Sequence, residues 1–286
     1  MASLAPTEQL RRAIASGVIG FFNDAERGQQ PIVPSEDALC PPGGVAWRVH
    51  ADVAGMIVGG AAALLWQMLH PKALAGVWDH SDFQKNMHGR LRNTARFIAV
   101  TTYGARADAE AAIARVRRIH DHVNGKLADG TPYDANDRRL LAFVHVAGSA
   151  MFLAGYRRFV EPGMSQADRD TYWREVVPIA EGLGADPVPR SEAEAEALAR
   201  EFLLELRADE RSRKVRDIIL HAPPERLLHL PLQRLLMRSA VDLLPPEVRR
   251  LHGLKSSGIA RPTTQAMTYG LASTLRWALG PRHKAA

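Results

Sequence analysis

Residues 53–69 form the longest apolar run in this chain, and only Gln67 interrupts it. A run of this length is at the short limit for a membrane span, and its Gly55-x-x-x-Gly59 spacing also occurs in packed membrane helices. Glycines weaken a helix but allow another surface to approach closely. We therefore expect no integral membrane span here but a central helix, buried on all sides, around which the rest of the chain must fold.

Apolar residues recur at helical spacing along most of the sequence, and no sustained alternation of apolar and polar residues predicts a strand. Helices are expected at residues 7–23, 50–69, 89–103, 108–123, 136–159, 165–183, 191–206, 224–243, 245–251 and 263–279. With 286 residues and 46% hydrophobic content, the chain can bury a sizeable core. The sequence thus predicts an all-α fold in a single large helical domain.

The organisation along the chain is expected to be simple. Residues 1–45 are predicted to form an N-terminal helix and an irregular connection, and residues 46–286 the main helical domain. A change in composition after residue 189 indicates a C-terminal helical subdomain from about residue 190, which is not expected to be independent.

Charge and cysteine content exclude several classes of protein. The net charge of +6 is dispersed and comes mainly from arginine, without interleaved aromatic residues, so nucleic-acid binding is not expected. The single Cys40 excludes an intramolecular disulfide and a cysteine-based metal cage. Residues 1–10 lack the basic run and apolar segment of a secretory signal, so the cytoplasm is the default compartment.

His120 is the first candidate for chemistry, because helical phasing turns it inward. It shares one stripe with Ala109, Ile113, Val116 and Val123. Arg115, Arg118 and His122 fall on the opposite face. A lone histidine among apolar residues, with no acid on its stripe, is typical of a haem-iron ligand and equally of an ordinary core histidine.

His145 is the rival to His120. It lies with Leu141, Gly148 and Phe152 on another apolar helical stripe, so spacing alone leaves both histidines open as the buried ligand.

Residues 70–102 are rich in polar side chains. This composition is consistent either with a solvated loop before a capped helix or with part of a ligand-binding site. One helical stripe that is polar at its start and apolar beyond contains Arg90, Thr94, Phe97 or Ile98, and Thr101. An arginine placed in this way can pair with a buried anion such as a propionate, and a threonine can hydrogen-bond bound dioxygen.

An ordered set of motifs makes the sequence recognisable. The motifs are Leu-His-Pro at 69–71, Ala-Gly-Val-Trp-Asp-His-Ser-Asp-Phe at 75–83, Gly-Arg-Leu-Arg-Asn-Thr at 89–94, Val-Arg-Arg-Ile-His at 116–120, Val-x-Gly at 123–125, Asp-Gly-x-x-Tyr-x-Ala-x-Asp-x-x-Leu-Leu at 129–141 and Phe-Val-His at 143–145. In this order and spacing they resemble the oxygenase family that includes the latex-clearing rubber oxygenases and the MpaB-type fungal oxygenases. The match covers about a third of the chain.

The resemblance implies an all-helical domain with a globin-like core that holds b-type haem, and its iron, through one histidine. It places His120 in the position of the family's proximal ligand. It also places Arg90 and Thr94 in the positions of the arginine and threonine that lie near the family's haem. Arg117 matches an arginine one turn before the ligand, and His145 remains a further candidate for cofactor contact.

Two departures from the rubber oxygenases affect the expected chemistry. Asn93 replaces a lysine that can close the distal iron position, so that position is expected to be open. From residue 38 to residue 109 the chain contains no glutamate, although rubber oxygenases use one as a base. Asp82, His80 or Asp79 would have to replace it, with Asp82 slightly favoured because it can stay ionised near Arg90.

The expected function is therefore a haem-dependent oxygenase acting with dioxygen on a small hydrophobic, unsaturated substrate. One alternative is a helical haem or hydrophobic-ligand binding protein without turnover. Another is a non-haem metal enzyme that uses His70, His80, His120 and His122. A second protein ligand from His145, His80 or Lys85 would point instead to electron transfer or sensing, and His70 and His88 could serve as supporting groups.

Overall fold

The computed structural model describes residues 7–9, 11–12, 15, 30–84, 86–221, 230–258 and 261–280, with the side chains of residues 88 and 261 left out. In this part of the chain the fold is all-α, as the sequence predicts. The helices are α1 (Val45–Ala51), α2 (Val53–Gln67), α3 (Pro71–His80), α4 (Met87–Tyr103), α5 (Arg106–His120), α6 (Arg138–Phe159), α7 (Gln166–Glu175), α8 (Val177–Leu183), α9 (Glu192–Phe202), α10 (Glu210–His221), α11 (Leu230–Leu243), α12 (Pro246–Leu251) and α13 (Arg261–Leu279).

The pair formed by α2 and α6 is the centre of the fold. Glycines place the two backbones in direct contact: a Cβ built on Gly59 would lie 2.6 Å from the carbonyl oxygen of Met151, and one on Gly155 would lie 2.5 Å from that of Gly55. Along α2 the apolar side chains are buried on several faces. The expectation of a buried central helix is confirmed.

The predicted helix over residues 50–69 is wrong at its start, because the chain bends by 88° between α1 and α2. The Asp52 carboxylate causes the new start, since it accepts a hydrogen bond from Gly55 N at 2.7 Å and caps α2. Its other oxygen pairs with Arg276 of α13 at 3.0 Å, which offsets the cost of burying a charge.

Other differences arise from local signals that periodicity does not detect. No helix is predicted over residues 71–80, yet Pro71 at its first turn and the His70 side chain, which accepts from Lys72 N, begin α3 there. α10 was not predicted. The expected helix over 165–183 divides into α7 and α8 at Val176, two residues before Pro178.

A short antiparallel hairpin, β1 (Asn124–Lys126) and β2 (Pro132–Asp134), follows α5 where the sequence predicted no strand. Tyr133 in β2 is buried and packs over Gly125, which has no side chain to obstruct the ring. Most of the predicted helix at 7–23 lies outside the described residues. The globin-like core and the boundary near residue 46 stay predictions.

By length and composition, α6 alone passes as a candidate membrane span among the described helices, and α1 with α2 passes only as a bent pair. Of the apolar window of α6, 56% is buried inside the protein, as expected for a core helix.

We predict that Gly59→Ala lowers the free energy of unfolding by about 1–3 kcal/mol, because the new methyl group must push α2 away from the α6 backbone. Gly60→Ala is the matched control, since its Cβ would make an ordinary 3.6 Å contact with the Phe152 ring. Urea unfolding of the ligand-free proteins measures both. Equal destabilisation by the two substitutions would contradict the backbone contact.

Candidate functional site

α4 has an unusual environment for a helix with several apolar residues. Between residues 89 and 100 every side chain is half-buried or exposed, including Phe97 and Ile98. α4 and α5 form a hairpin whose main packing partners are α1 and α8, not the central pair. No side chain in this stretch of α4 is therefore fully buried, and both polar and apolar groups of the helix stay partly accessible.

Glycines on both central helices leave short stretches of those helices without a side chain. The Cβ position of Gly60 in α2 is 3.6 Å from the Phe152 ring of α6, and that of Gly148 in α6 is 3.7 Å from Gln67 Nε2. A surface without protruding side chains suits a flat, apolar ligand.

His120 is the last residue of α5 and is half-buried. The predicted phase is confirmed: Ala109 and Ile113 are buried and Val116 and Val123 half-buried, whereas Arg115, Arg118 and His122 are exposed. His120 Nδ1 is buried without a hydrogen-bond partner among the described residues. Burial lowers the pKa of His120, although the nearby Asn136 side chain opposes this shift. The ring is thus neutral at physiological pH and retains ligand capacity.

His145, in α6, is half-buried as a residue, but its Nε2 atom is fully buried and has no partner in the described part of the chain. Its Nδ1 atom lies 3.5 Å from Ser149 Oγ, and its ring packs edge-on against Trp173. Burial lowers the pKa of His145 to about 4, so this ring is also neutral near pH 7. Both histidines singled out from the sequence therefore keep an unpartnered nitrogen.

Arg90 is half-buried on α4, and its Nη1 donates to Ser81 Oγ at 3.0 Å. Burial lowers its pKa, and no described carboxylate forms an ion pair with it. A partly desolvated guanidinium with only a hydroxyl partner is suited to bind an anion. The exposed Thr94 lies one turn later and donates its hydroxyl hydrogen to the Arg90 carbonyl oxygen. Asn93 is exposed.

The three candidates for proton transfer differ in their contacts. Asp82 is exposed, and Arg90 contacts Ser81 instead of Asp82. Asp79 accepts from Tyr133 OH at 3.2 Å and pairs with Arg211 at 3.1 Å. His80 is exposed, with Nε2 at 3.1 Å from the same Tyr133 hydroxyl.

Tyr133 and Arg211 were missed by the sequence reasoning. Burial, followed by the Asp79 carboxylate, raises the pKa of Tyr133, so its phenol keeps its proton near neutral pH. Arg211 also stacks over the Trp78 ring at 5.5 Å. The tyrosine belongs to the motif at 129–141 and could have been found there, whereas Arg211 lies far along the chain.

The remaining candidates lie apart. Arg117 donates to the Gly182 carbonyl oxygen at 3.3 Å and faces α8, where it borders an open surface recess. His70 uses both ring nitrogens, with Glu205 and with Lys72 N. His122 is exposed. The described residues contain no group of three or more His, Cys, Asp or Glu placed to hold a metal ion, so the non-haem alternative gains no support. Lys85 and the His88 side chain lie outside the described residues.

These features define an all-α protein in which two neutral histidines keep a ring nitrogen that has no partner among the described residues. Residues 47–277 match the family model described as ER-bound oxygenase mpaB/B'/Rubber oxygenase, catalytic domain. The chain belongs to this family of oxygenase catalytic domains, which confirms the resemblance found in the motifs and extends it over most of the chain. Comparison with curated proteins and with solved structures returned no match.

We predict that acid weakens the fold through its buried neutral histidines. An unfolded histidine takes up a proton near pH 6.5, whereas folded His145 does so only near pH 4. Its stabilising effect is therefore complete above about pH 6.5 and is lost as the pH falls toward 4, by up to about 2 kcal/mol at pH 5. Urea unfolding at pH 7 and pH 5 should show this loss.

The matched variants are His145→Gln, which should reduce the pH dependence, and His122→Gln at an exposed position, which should leave it unchanged. A steeper dependence in His145→Gln would contradict the neutral, buried state of this ring.

Proposed function

We propose that this chain is a haem b-dependent oxygenase that uses dioxygen to oxidise a small, apolar, unsaturated substrate. The observation that carries this proposal is the neutral ring of His120, on the inward face of α5, with a buried Nδ1 that has no partner among the described residues. The family supports oxygenase chemistry, and the position of His120 in the motif at 116–120 supports its role as ligand.

The described residues include partners for such a group. His120 would hold the iron, Arg90 would pair with a propionate, and the side-chain-free surface at Gly60 and Gly148 would lie against the porphyrin. Arg90 has no carboxylate partner among the described residues, and this supports the fit because its charge then needs an anion. When bound, haem supplies the activation of dioxygen, which no side chain of this chain could provide.

The protein's own contribution is to orient the reactants, exclude water and move protons. Phe97 and Ile98 present apolar surface on α4, which favours an apolar substrate. Thr94 can reorient its hydroxyl from the Arg90 carbonyl toward a ligand. Asn93 has no amine to act as a ligand, which leaves the distal side open.

Proton transfer is assigned to the region where α3 meets the hairpin. His80 Nε2 lies 3.1 Å from the buried Tyr133 hydroxyl, which donates its hydrogen to Asp79 on the other side. A proton can therefore move from His80 to the Tyr133 oxygen as the hydroxyl proton of Tyr133 passes to Asp79. Asp82 remains a candidate base, because its exposed carboxylate lies on the same segment as Ser81, the partner of Arg90.

A second candidate function is haem or hydrophobic-ligand binding without turnover. The engagement of Asp79 by Tyr133 and Arg211 favours it, because that carboxylate is not free to act as a base. Such a protein would give the same haem spectrum but would consume neither dioxygen nor substrate.

We predict that the protein, expressed with a haem supply, carries about one non-covalent haem b per chain. His120→Ala should lose the pigment or change its spin state, and added imidazole should partly restore the spectrum by filling the space of the missing ring. Absorption spectra and a haem assay measure this. His122→Ala is the matched control and should resemble the wild type. A colourless wild-type protein that also fails to bind added hemin would reject haem dependence.

We predict that Arg90→Ala weakens hemin binding roughly tenfold or more, because a charge-assisted hydrogen bond to a propionate is lost. Hemin titration of the haem-free protein gives the affinity. Arg96→Ala serves as the control, since Arg96 donates to the Gln30 carbonyl oxygen. Equal losses in the two variants would mean that Arg90 does not contact the propionate.

A further inference from the structure

The last long helix, α13, has an exposed face that carries no charge. Over residues 262–277 its exposed residues are Pro262, Thr263, Ala266, Met267, Tyr269, Gly270, Thr274 and Trp277. With 3.6 residues per turn, these positions share one arc of about half the helix circumference, and Trp277 lies near its centre. We call this arc the outer face. An ordinary surface helix has charged residues on the side that meets water, so the composition of the outer face is unusual.

Three large side chains make the outer face apolar. Met267 is 58% exposed, Tyr269 50% and Trp277 45%, and no other helix in the described part of the chain exposes as many large hydrophobic residues. The other side of α13 packs on α2, α6 and α11. Arg276 contributes to this anchoring, because it pairs with buried Asp52 at 3.0 Å. The fold therefore holds these apolar side chains at the protein surface.

The excess of positive charge lies in the segment that contains α13. Arginines occur along the whole sequence, but residues 248–286 contain seven lysines and arginines and no aspartate or glutamate. Because this segment carries +7 and the whole chain +6, residues 1–247 carry a net charge of −1. The combination of exposed aromatic side chains with an excess of positive charge is complementary to an anionic lipid surface.

Exposed cations also occur on the elements next to α13. The neighbouring helix α11 is joined to α13 by a buried hydrogen bond of 2.7 Å between the Ser239 and Thr268 hydroxyls, and it exposes Arg234. Lys255, in the segment between α12 and α13, is exposed as well. These charges oppose the pairing of the outer face with that of a second copy, because a symmetric dimer would bring two positively charged segments together.

We propose that α13 docks the protein onto an anionic lipid membrane: its outer face enters the membrane–water interface, and the cations of residues 248–286 contact the lipid headgroups. Trp277 and Tyr269 suit this position, because rings with an apolar body and one polar group are enriched at such interfaces. The helix lies along the membrane surface and does not cross the bilayer. The proposal does not involve His120 or Arg90 and does not rest on the proposed oxygenase function.

Co-sedimentation of the purified protein with lipid vesicles tests the docking. We expect binding to vesicles of equal parts phosphatidylcholine and phosphatidylserine, and much weaker binding to vesicles of phosphatidylcholine alone. Raising the NaCl concentration from about 0.1 M to about 0.5 M should weaken the binding, because salt screens the attraction between cations and headgroups. Failure to bind the anionic vesicles, or equal binding to both compositions, overturns the proposal.

Substitutions on the outer face test its role. Trp277→Gln and Met267→Gln should each weaken binding to the anionic vesicles roughly tenfold, because each removes an apolar side chain from the interface. Leu204→Gln is the matched control, since Leu204 is 88% exposed and lies outside α13. It should bind as the wild type does. Circular dichroism confirms that each variant is folded. Equal losses in all three variants, or no loss in the two α13 variants, contradict docking through the outer face.

A pair of double variants tests the contribution of charge. Arg282→Gln with Lys284→Gln removes two cations of the segment 248–286, and Arg115→Gln with Arg118→Gln removes two exposed cations of α5. Net charge falls equally in both, but only the first should weaken vesicle binding strongly. Equal weakening would mean that net charge alone, and not this segment, attracts the protein to the membrane, and would overturn the proposal.

Analytical ultracentrifugation separates membrane docking from self-association. We expect no dimer that depends on Trp277. A dimer that Trp277→Gln dissociates, in a protein that does not bind vesicles, would assign the outer face to a second copy and overturn the proposal. Because none of these measurements reports on haem, failure to bind hemin would reject the proposed oxygenase and leave the docking results unaffected.

Discussion

The close contact between the α2 and α6 backbones is the constraint on which the rest of the structure depends. Gly59 and Gly155 let two long apolar helices touch without side chains between them. The polar face of each helix is narrower than in an ordinary amphipathic helix. Other helices must therefore cover the pair on several sides. The α4–α5 hairpin packs mainly on α1 and α8 and contributes less to covering this pair.

Polar groups inside this apolar arrangement have separate tasks. Asp52 ends one helix and begins the next, and Arg276 neutralises it. In the part of the chain that the structure describes, Arg90 has no such partner, and neither His120 nor His145 has both ring nitrogens satisfied. Buried polar groups are rarely left unpaired unless a ligand completes them. Asp52, whose charge is paired inside the protein, is a structural charge. Arg90, whose charge is not paired in this way, indicates a bound anion.

The sequence predicts well those features that depend on one helix alone. The inward turn of His120, the exposure of His122 and the extent of α4 follow from helical period, and the order and spacing of the motifs are sufficient to identify the family. Features that depend on residues far apart were not predictable in this way. The bend at Asp52 needs Arg276, which is 224 residues away along the chain.

Arg211 and Tyr172 belong to this second group as well. Arg211 reaches Asp79 from another helix, and Tyr172 of α7 hydrogen-bonds His50 of α1. Neither residue belongs to a sequence motif or an apolar helical stripe that would identify it as a candidate site residue. Asp82 illustrates the opposite case, because charge alone suggested a pairing with Arg90 that the side-chain contacts do not contain.

The incomplete burial of α4 has a thermodynamic consequence. A helix with no buried side chain over residues 89–100 gains little stability from packing, so its local unfolding requires little free energy. A ligand that packs against α4 would supply the missing contacts and would stabilise the helix by mass action, in proportion to the logarithm of its free concentration relative to its Kd. Ligand binding and the local folding of α4 would then be coupled, and the measured affinity would include the free energy of ordering this helix.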